Sequence, residues 1–245
     1  MSVPQKMNQN DKSGFDDFSN NSSYNLVIFN NHSDQENSSK TKIVRIEEMN
    51  LSLFFSDSVD LRKQYYDLRQ KCFTEVDEEY RSRCPQNCLD WSDYDGSETE
   101  DDRRGKILIA VDDEGKVVAG ARFLLSTSIL FTANEEPWNN FTIRRFLEEK
   151  GYDPEAKYCE IDDIVIDKKF RNRLLIKNMF KIMINEAENS YCDYMIGIAI
   201  ESAARTHKML FASLGYKVDL HKDYPWIMQK NHGYETRYPI TTKLY

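Results

Sequence analysis

The sequence predicts an α/β fold, a mixed sheet with a parallel portion, on three observations. Residues 106–111 and 116–125 are strand-like runs around Asp112-Asp113-Glu114-Gly115, a hairpin signal that makes them an antiparallel pair. Residues 158–166 read as a strand feeding a long helix, about 171–189, whose inner face carries Leu175, Met179, Ile182 and Met183. A strand at 194–200 and a helix at 203–214 closed by Gly215 come next, the alternation that brings strands side by side in parallel.

Residues 1–40 are dominated by Asn, Ser, Asp, Gln and Lys, too polar to offset the entropy of ordering, and are expected to be a disordered tail. Its apolar patch, residues 24–29, reads as a docking motif, as a strand that adds to a sheet edge, or as an accident of such a tail. A single domain is expected over 41–245. It starts with a short strand at 42–46. Ser56 or Asp57 then offers an N-cap to a helix with Leu61, Tyr65, Leu68 and Cys72 on one face. Residues 75–104 look irregular, acidic toward 97–102, and are read as a long loop. After the hairpin, a helix at 141–150 is ended by Gly151. Strands at 216–220, 226–229 and 236–244 finish the chain, the last two able to form a hairpin.

The net charge of −8 opposes a general nucleic-acid or anionic-lipid partner, which would require a basic stripe. Five scattered cysteines, Cys72, Cys84, Cys88, Cys159 and Cys192, do not form a disulfide framework and are read as reduced thiols. With the histidines distant in sequence, no metal site is predicted. No apolar run has the length of a membrane span, and no export signal is seen, so the expected location is cytoplasmic.

Residues 160–175 carry the chemistry. A strand, a basic turn and a helix start aim backbone N–H groups and a positive helix end at whatever lies past the strand, which suits a diphosphate. Arg171 and Arg173 would add charge-assisted contacts, or would be solvated surface cations.

The stretches 165–180 and 192–218 resemble the acyl-coenzyme-A core of the GCN5-related N-acetyltransferases. The turn Arg171-Asn172-Arg173-Leu174-Leu175-Ile176 stands where that family has Arg-x-x-Gly-x-Gly/Ala, and Gly215-Tyr216 stands for its closing Gly-Phe or Gly-Tyr. Both turn glycines are missing, as in the branch of autoinducer (acyl-homoserine-lactone) synthases and N-acyl amino acid synthases. Leu68-Arg69-Gln70-Lys71-Cys72-Phe73 is similar to that branch's Leu-Arg-x-x-x-Phe, Asp93-Tyr94-Asp95 to its Asp-x-Phe-Asp, and Arg122-Phe123-Leu124-Leu125-Ser126-Thr127 to its Arg-Leu-Leu-x-Thr strand. Glu160 falls where the branch has the Glu of Glu-x-Ser-Arg, but Asp163 replaces the Arg. Phe211 occupies the position of the family's general-acid Tyr.

The resemblance implies a mostly antiparallel central sheet with one parallel strand pair, flanked by helices. It implies an N-acyltransferase whose donor is acyl-coenzyme A or the phosphopantetheine of an acyl-carrier protein, and whose acceptor is a small-molecule amine. Glu160 is the expected base, and Asp162 alternates onto the same strand face, where it would share the site. Ile164, Val165 and Ile166 would pair with a pantetheine arm, and Arg171, Asn172, Arg173, Leu174 and Leu175 would hold the phosphates. Arg69, Phe73, Asp95 and Arg122 are the acceptor candidates. Arg122 in an otherwise apolar strand requires a partner. Ion pairs of Asp162 and Asp163 with Arg171 or Lys168 are the structural alternative, and His207 is read as a helix-surface residue. An ordinary acetyl-coenzyme-A enzyme, or an inactive thioester or carrier-protein binding module, stand as alternative functions.

Overall fold

The computed structural model describes residues 42–83, 96–126, 143–153, 155–230 and 233–245. The tail at 1–40, Cys84, Cys88 and Asp95 lie outside the described residues.

The first two strands, β1 (Val44–Ile46) and β2 (Leu51–Phe55), are antiparallel. A 3-10 turn, Glu47–Met49, joins them and closes on Asn50, whose φ of 53° is one that Asn tolerates better than most residues. β2 was not expected. Leu51 and Leu53 alternate into the core around Ser52, a period-2 signal too short to stand out beside the helix cap that follows it.

Helix α1 (Val59–Arg83) carries Tyr65, Leu68 and Cys72 inward, as the spacing predicts. It runs past residue 75, so residues 75–83 of the expected loop are helical. Its C-terminal third is built of charged helix formers and is supported by Lys71 and Glu75 one turn apart at 3.8 Å. The acidic end of the same supposed loop is also helical, as α2 (Glu100–Arg104). A capping box makes it so: the Asp102 N–H donates to Thr99 Oγ1 at 3.2 Å and the Thr99 N–H donates to Asp102 Oδ2 at 2.8 Å.

Strands β3 (Lys106–Val111) and β4 (Val117–Ser126) form the expected hairpin, with Gly115 at a φ of 80° in the turn. Then come α3 (Ile143–Glu149), β5 (Tyr158–Ile166), α4 (Arg173–Asn189), β6 (Tyr194–Ala199), α5 (Glu201–Ser213), β7 (Val218–Leu220), β8 (Trp226–Lys230) and β9 (Gly233–Lys243). The strand order is β1-β2-β3-β4-β5-β6-β9-β7, with β8 on β9 as the predicted terminal hairpin. Among these pairings only β5 with β6 is parallel. The sheet is therefore mixed and mostly antiparallel, as the fold class requires.

Helices cover both faces. Leu175, Met179, Phe180 and Met183 of α4, with Leu210 and Phe211 of α5, pack on Leu108, Ala121, Phe123 and Ile161. On the opposite face α1 sets Tyr65, Leu68 and Cys72 against Ile107, Ile109 and Val165, and α3 sets Phe146 and Leu147 against Tyr158 and Ile196. Among the described residues no helix is long and apolar enough to cross a membrane.

Candidate active site

The parallel pair separates in mid-sheet. β5 and β6 are in register over Tyr158, Cys159 and Glu160 with Tyr194, Met195 and Ile196, and there the register ends although β5 continues to Ile166 and β6 to Ala199. Just past this fork, a Cβ built on Gly197 would meet only the Ile161 carbonyl oxygen, at 3.8 Å. A strand edge left without its neighbour presents N–H and C=O groups to an amide-containing ligand.

A cavity of about 340 Å³ lies at the far end of that edge. Ile164, Val165 and Ile166, the turn residues Arg171 and Asn172, and Ile176 line it together with Cys72 and Phe73 of α1. Five of the eight expected donor residues thus meet at one place. Phe73, an acceptor candidate in the sequence, lines this same cavity, one helical turn beyond Arg69. Leu175 is fully buried beneath α4 and can offer a phosphate only its backbone. The Asn172 side chain is engaged as the α4 cap, its Oδ1 accepting from the Leu174 N–H at 2.7 Å. Arg171 Nε donates to the Ile166 carbonyl at 3.3 Å, which keeps the guanidinium at the cavity mouth.

On the α1 face a buried ion cluster adjoins the fork. Arg69 grips Asp102 with two parallel bonds, Nη1 to Oδ1 and Nη2 to Oδ2, both 2.8 Å, and also donates from Nη1 to Asp163 Oδ2 at 2.8 Å. Arg122 Nη2 donates to Asp162 Oδ2 at 2.7 Å, while its Nη1 lies 3.2 Å from Asp163 Oδ2 and 3.3 Å from Asp102 Oδ1. Burial alone pushes the Asp102 carboxyl up, but the Arg69 hydrogen bond, the Thr99 N–H and the two guanidinium charges outweigh it and hold the group low. For Asp163 the balance is reversed: burial and the Asp162 charge push it up to about 6 against the pull of Arg122 and Arg69.

This geometry corrects two expectations. Asp162 and Asp163 pair with Arg122 and Arg69, not with Arg171 or Lys168. Asp162 is an ion-pair partner of Arg122 before it is a second base. Arg69 is a fully buried cation at the centre of the cluster. Asp102 and Asp163 were the residues missed. The Thr99-x-x-Asp102 capping pattern was a readable signal, and a lone Arg122 in an apolar strand requires such a carboxylate.

Glu160 stands between the two regions. It is the last residue of β5 in register with β6 and is 2% exposed. Leu124 of β4 and Ile196 of β6 are its neighbours across the strands. The strand period puts its side chain on the sheet face that carries Asp162 and Arg122.

On the opposite face, Ile161, Gly197, Phe180, His207 and Phe211 border a space of only about 20 Å³. His207 is half-buried on α5: its ring packs edge-on against Phe180 at 5.1 Å, and the burial of the imidazole pushes it down to about 4. Phe211 meets the same ring at 5.1 Å. Among the described residues no group of three or more His, Cys, Asp or Glu side chains is placed to hold a metal ion.

No family model matches the sequence, and no curated protein does. Solved structures do match. FeeM, an N-acyl amino acid synthase from uncultured soil microbes, superposes with a TM-score of 0.50 at 8% identity, covering 79% of this chain and 91% of its own. The coenzyme-A-dependent acyl-homoserine lactone synthase BjaI, solved with SAM and isopentyl-CoA, gives 0.49 at 15% identity over 76% of this chain and 77% of its own. A GNAT family acetyltransferase from Elizabethkingia anophelis with acetyl-CoA bound gives 0.41 at 15% identity over 79% and 97%. At such identities the likeness is one of fold, and the FeeM superposition carries it. The chain shares the fold of that synthase, and the stretches 165–180 and 192–218 are those whose sequence resembles the GCN5-related N-acetyltransferases.

Proposed function

We propose that residues 41–245 form a single N-acyltransferase domain that moves an acyl group from a pantetheine thioester to the amine of a small molecule. The observation that carries this reading is the fork at Glu160, with an apolar cavity along the open edge of β5 on one side and the buried ion cluster on the other.

The donor's pantetheine amides pair with the open edge between Ile161 and Ile166, and its phosphates meet the first turn of α4 and Arg171. Acyl-coenzyme A and the arm of an acyl-carrier protein present the same thioester here. The exposed cations of the turn, Lys168, Lys169, Arg171 and Arg173, suit either the nucleotide phosphates or an acidic carrier.

The acceptor approaches on the Asp162 side. In the cluster three carboxylates face two guanidiniums, so one negative charge is in excess when all are ionised. Asp162, 32% exposed, is its most accessible carboxylate. An ammonium group fits there. A substrate carboxylate would have to displace Asp102, Asp162 or Asp163 from arginines that already hold them.

The ammonium gives one proton to solvent to reach its neutral form, and its nitrogen attacks the thioester carbonyl. The N–C bond forms, the C–S bond breaks, Glu160 takes the proton released from nitrogen, and the thiolate departs to be protonated by water. Phe211 has no hydroxyl to supply that last proton, which also favours a second reading, a thioester-binding module without turnover.

A thermal-shift panel with acetyl-coenzyme A, a long-chain acyl-coenzyme A and an acyl-carrier protein tests the donor. At a hundredfold excess over Kd the true donor adds about 2.7 kcal/mol and raises Tm. If none of the three does so, the reading has no donor and fails. Binding without N-acyl product would establish the second reading.

A further inference from the structure

β5 carries a bulge at the centre of the candidate site. Arg122 stands opposite Asp162 and Gly120 opposite Val165, so Asp163 and Ile164 together face Ala121 alone. In an unbroken strand neighbouring side chains alternate, and Asp162 and Asp163 would point to opposite faces. The extra residue cancels the alternation, and both carboxylates reach Arg122.

The cost is a left-handed backbone at Asp163, φ 48°, in a place where such bulges ordinarily use Gly. Several contacts hold it there. The Asp163 N–H donates to Asp162 Oδ1 at 2.8 Å, Arg69 and Arg122 take its carboxylate, and the Tyr65 hydroxyl donates to its carbonyl at 3.0 Å. Tyr65 reaches it from α1 by lying over β4 where Gly120 has no side chain. A Cβ there would be 2.3 Å from Tyr65 Cδ2. Burial and the nearby Asp163 charge push the Tyr65 phenol well up, which keeps its O–H a donor.

Resting on the acyltransferase reading, we infer that Tyr65 is a positioning residue: through Gly120 and the Asp163 carbonyl it holds the β5 bulge that sets Asp162 and Asp163 on one face beside Glu160. The tyrosine is itself fully buried, and it acts through the backbone at Asp163.

The test is Tyr65→Phe in the full chain, read by amide hydrogen exchange and by steady-state kinetics. Exchange at residues 161–166 rises about tenfold or more while β3 amides are unchanged, because local opening no longer breaks the phenol bond. In the same variant kcat falls about tenfold or more while donor and acceptor KM stay within about threefold, the signature of a site slightly displaced. In an Asp163→Gly background, where glycine accepts the left-handed backbone without help, Tyr65→Phe costs less than it does alone. Unchanged exchange across 161–166 overturns the inference, and so does full additivity of the two substitutions. If the wild type turns over no thioester of the panel, the acyltransferase reading fails, and the exchange result still decides whether Tyr65 holds the bulge. Should Tyr65→Phe not fold, Gly120→Ala breaks the same hydrogen bond by another route, because the added methyl pushes the Tyr65 ring, and with it the hydroxyl, off the Asp163 carbonyl.

Discussion

Arg69 and Asp102, 33 residues apart in sequence, meet through two parallel 2.8 Å hydrogen bonds with both side chains at zero exposure. The pair ties α1 to α2 beneath the sheet face that carries Arg122 and Asp162, so the ion cluster is also a structural tie.

Removing one partner leaves a buried charge without its match. Arg69→Met is expected to cost about 3–5 kcal/mol of stability, read from the urea midpoint. Arg69→Lys recovers little of it, because an ammonium cannot make the paired bonds of a guanidinium. A loss below about 1 kcal/mol for Arg69→Met would show that the pair holds nothing.

Stability against pH has two opposed components. Asp163 is pushed up to about 6, so between its unfolded value near 4 and about 6 the folded state binds the extra proton, and stability falls as pH rises through that window. His207 is pushed down to about 4, so from about 6.5 down to 4 the unfolded state takes the proton, and stability falls as pH drops. Relative to the wild type, Asp163→Asn therefore makes the slope of stability against pH more positive between about 4 and 6, and His207→Phe makes it less positive between about 4 and 6.5, in urea unfolding across that range. Variants whose curves run parallel to the wild type would contradict both assignments.

Acyl length should follow the rings around the small space behind the fork. Phe180, His207 and Phe211 leave about 20 Å³ there, less than one methylene-rich chain needs. Phe211→Ala is expected to raise kcat/KM for medium-chain over acetyl thioesters by about tenfold, the scale of one to two methylenes newly accommodated. A ratio unchanged in competition assays would place the acyl chain elsewhere.

The legible parts of this protein were those with local signals. The Asp112 to Gly115 turn, the inner face of α4 and the run from Tyr158 to Ile166 were each readable within a few residues. The Glu160 position followed from its motif and proved to be the last paired residue of the parallel strands. What escaped depends on contacts distant in sequence. Asp102 belongs to the site only because α2 folds back on α1, and no periodicity records that. Asp163 read as a surface acid because a left-handed residue in a strand has no sequence mark when it is not Gly. Phe73 shows the same limit: its place one turn beyond Arg69 is plain, but its meeting with Ile164, Val165 and Ile166 in one cavity joins segments distant in sequence.

The central claim is that Glu160 takes the amine's proton during transfer from a thioester. The most direct measurement is mass spectrometry of extracts from cells expressing the wild type or Glu160→Gln, searching for N-acylated amines. The account predicts such products with the wild type and their loss, about a hundredfold or more, with Glu160→Gln at unchanged donor binding. Equal yields of the same N-acyl amines from both proteins would contradict it.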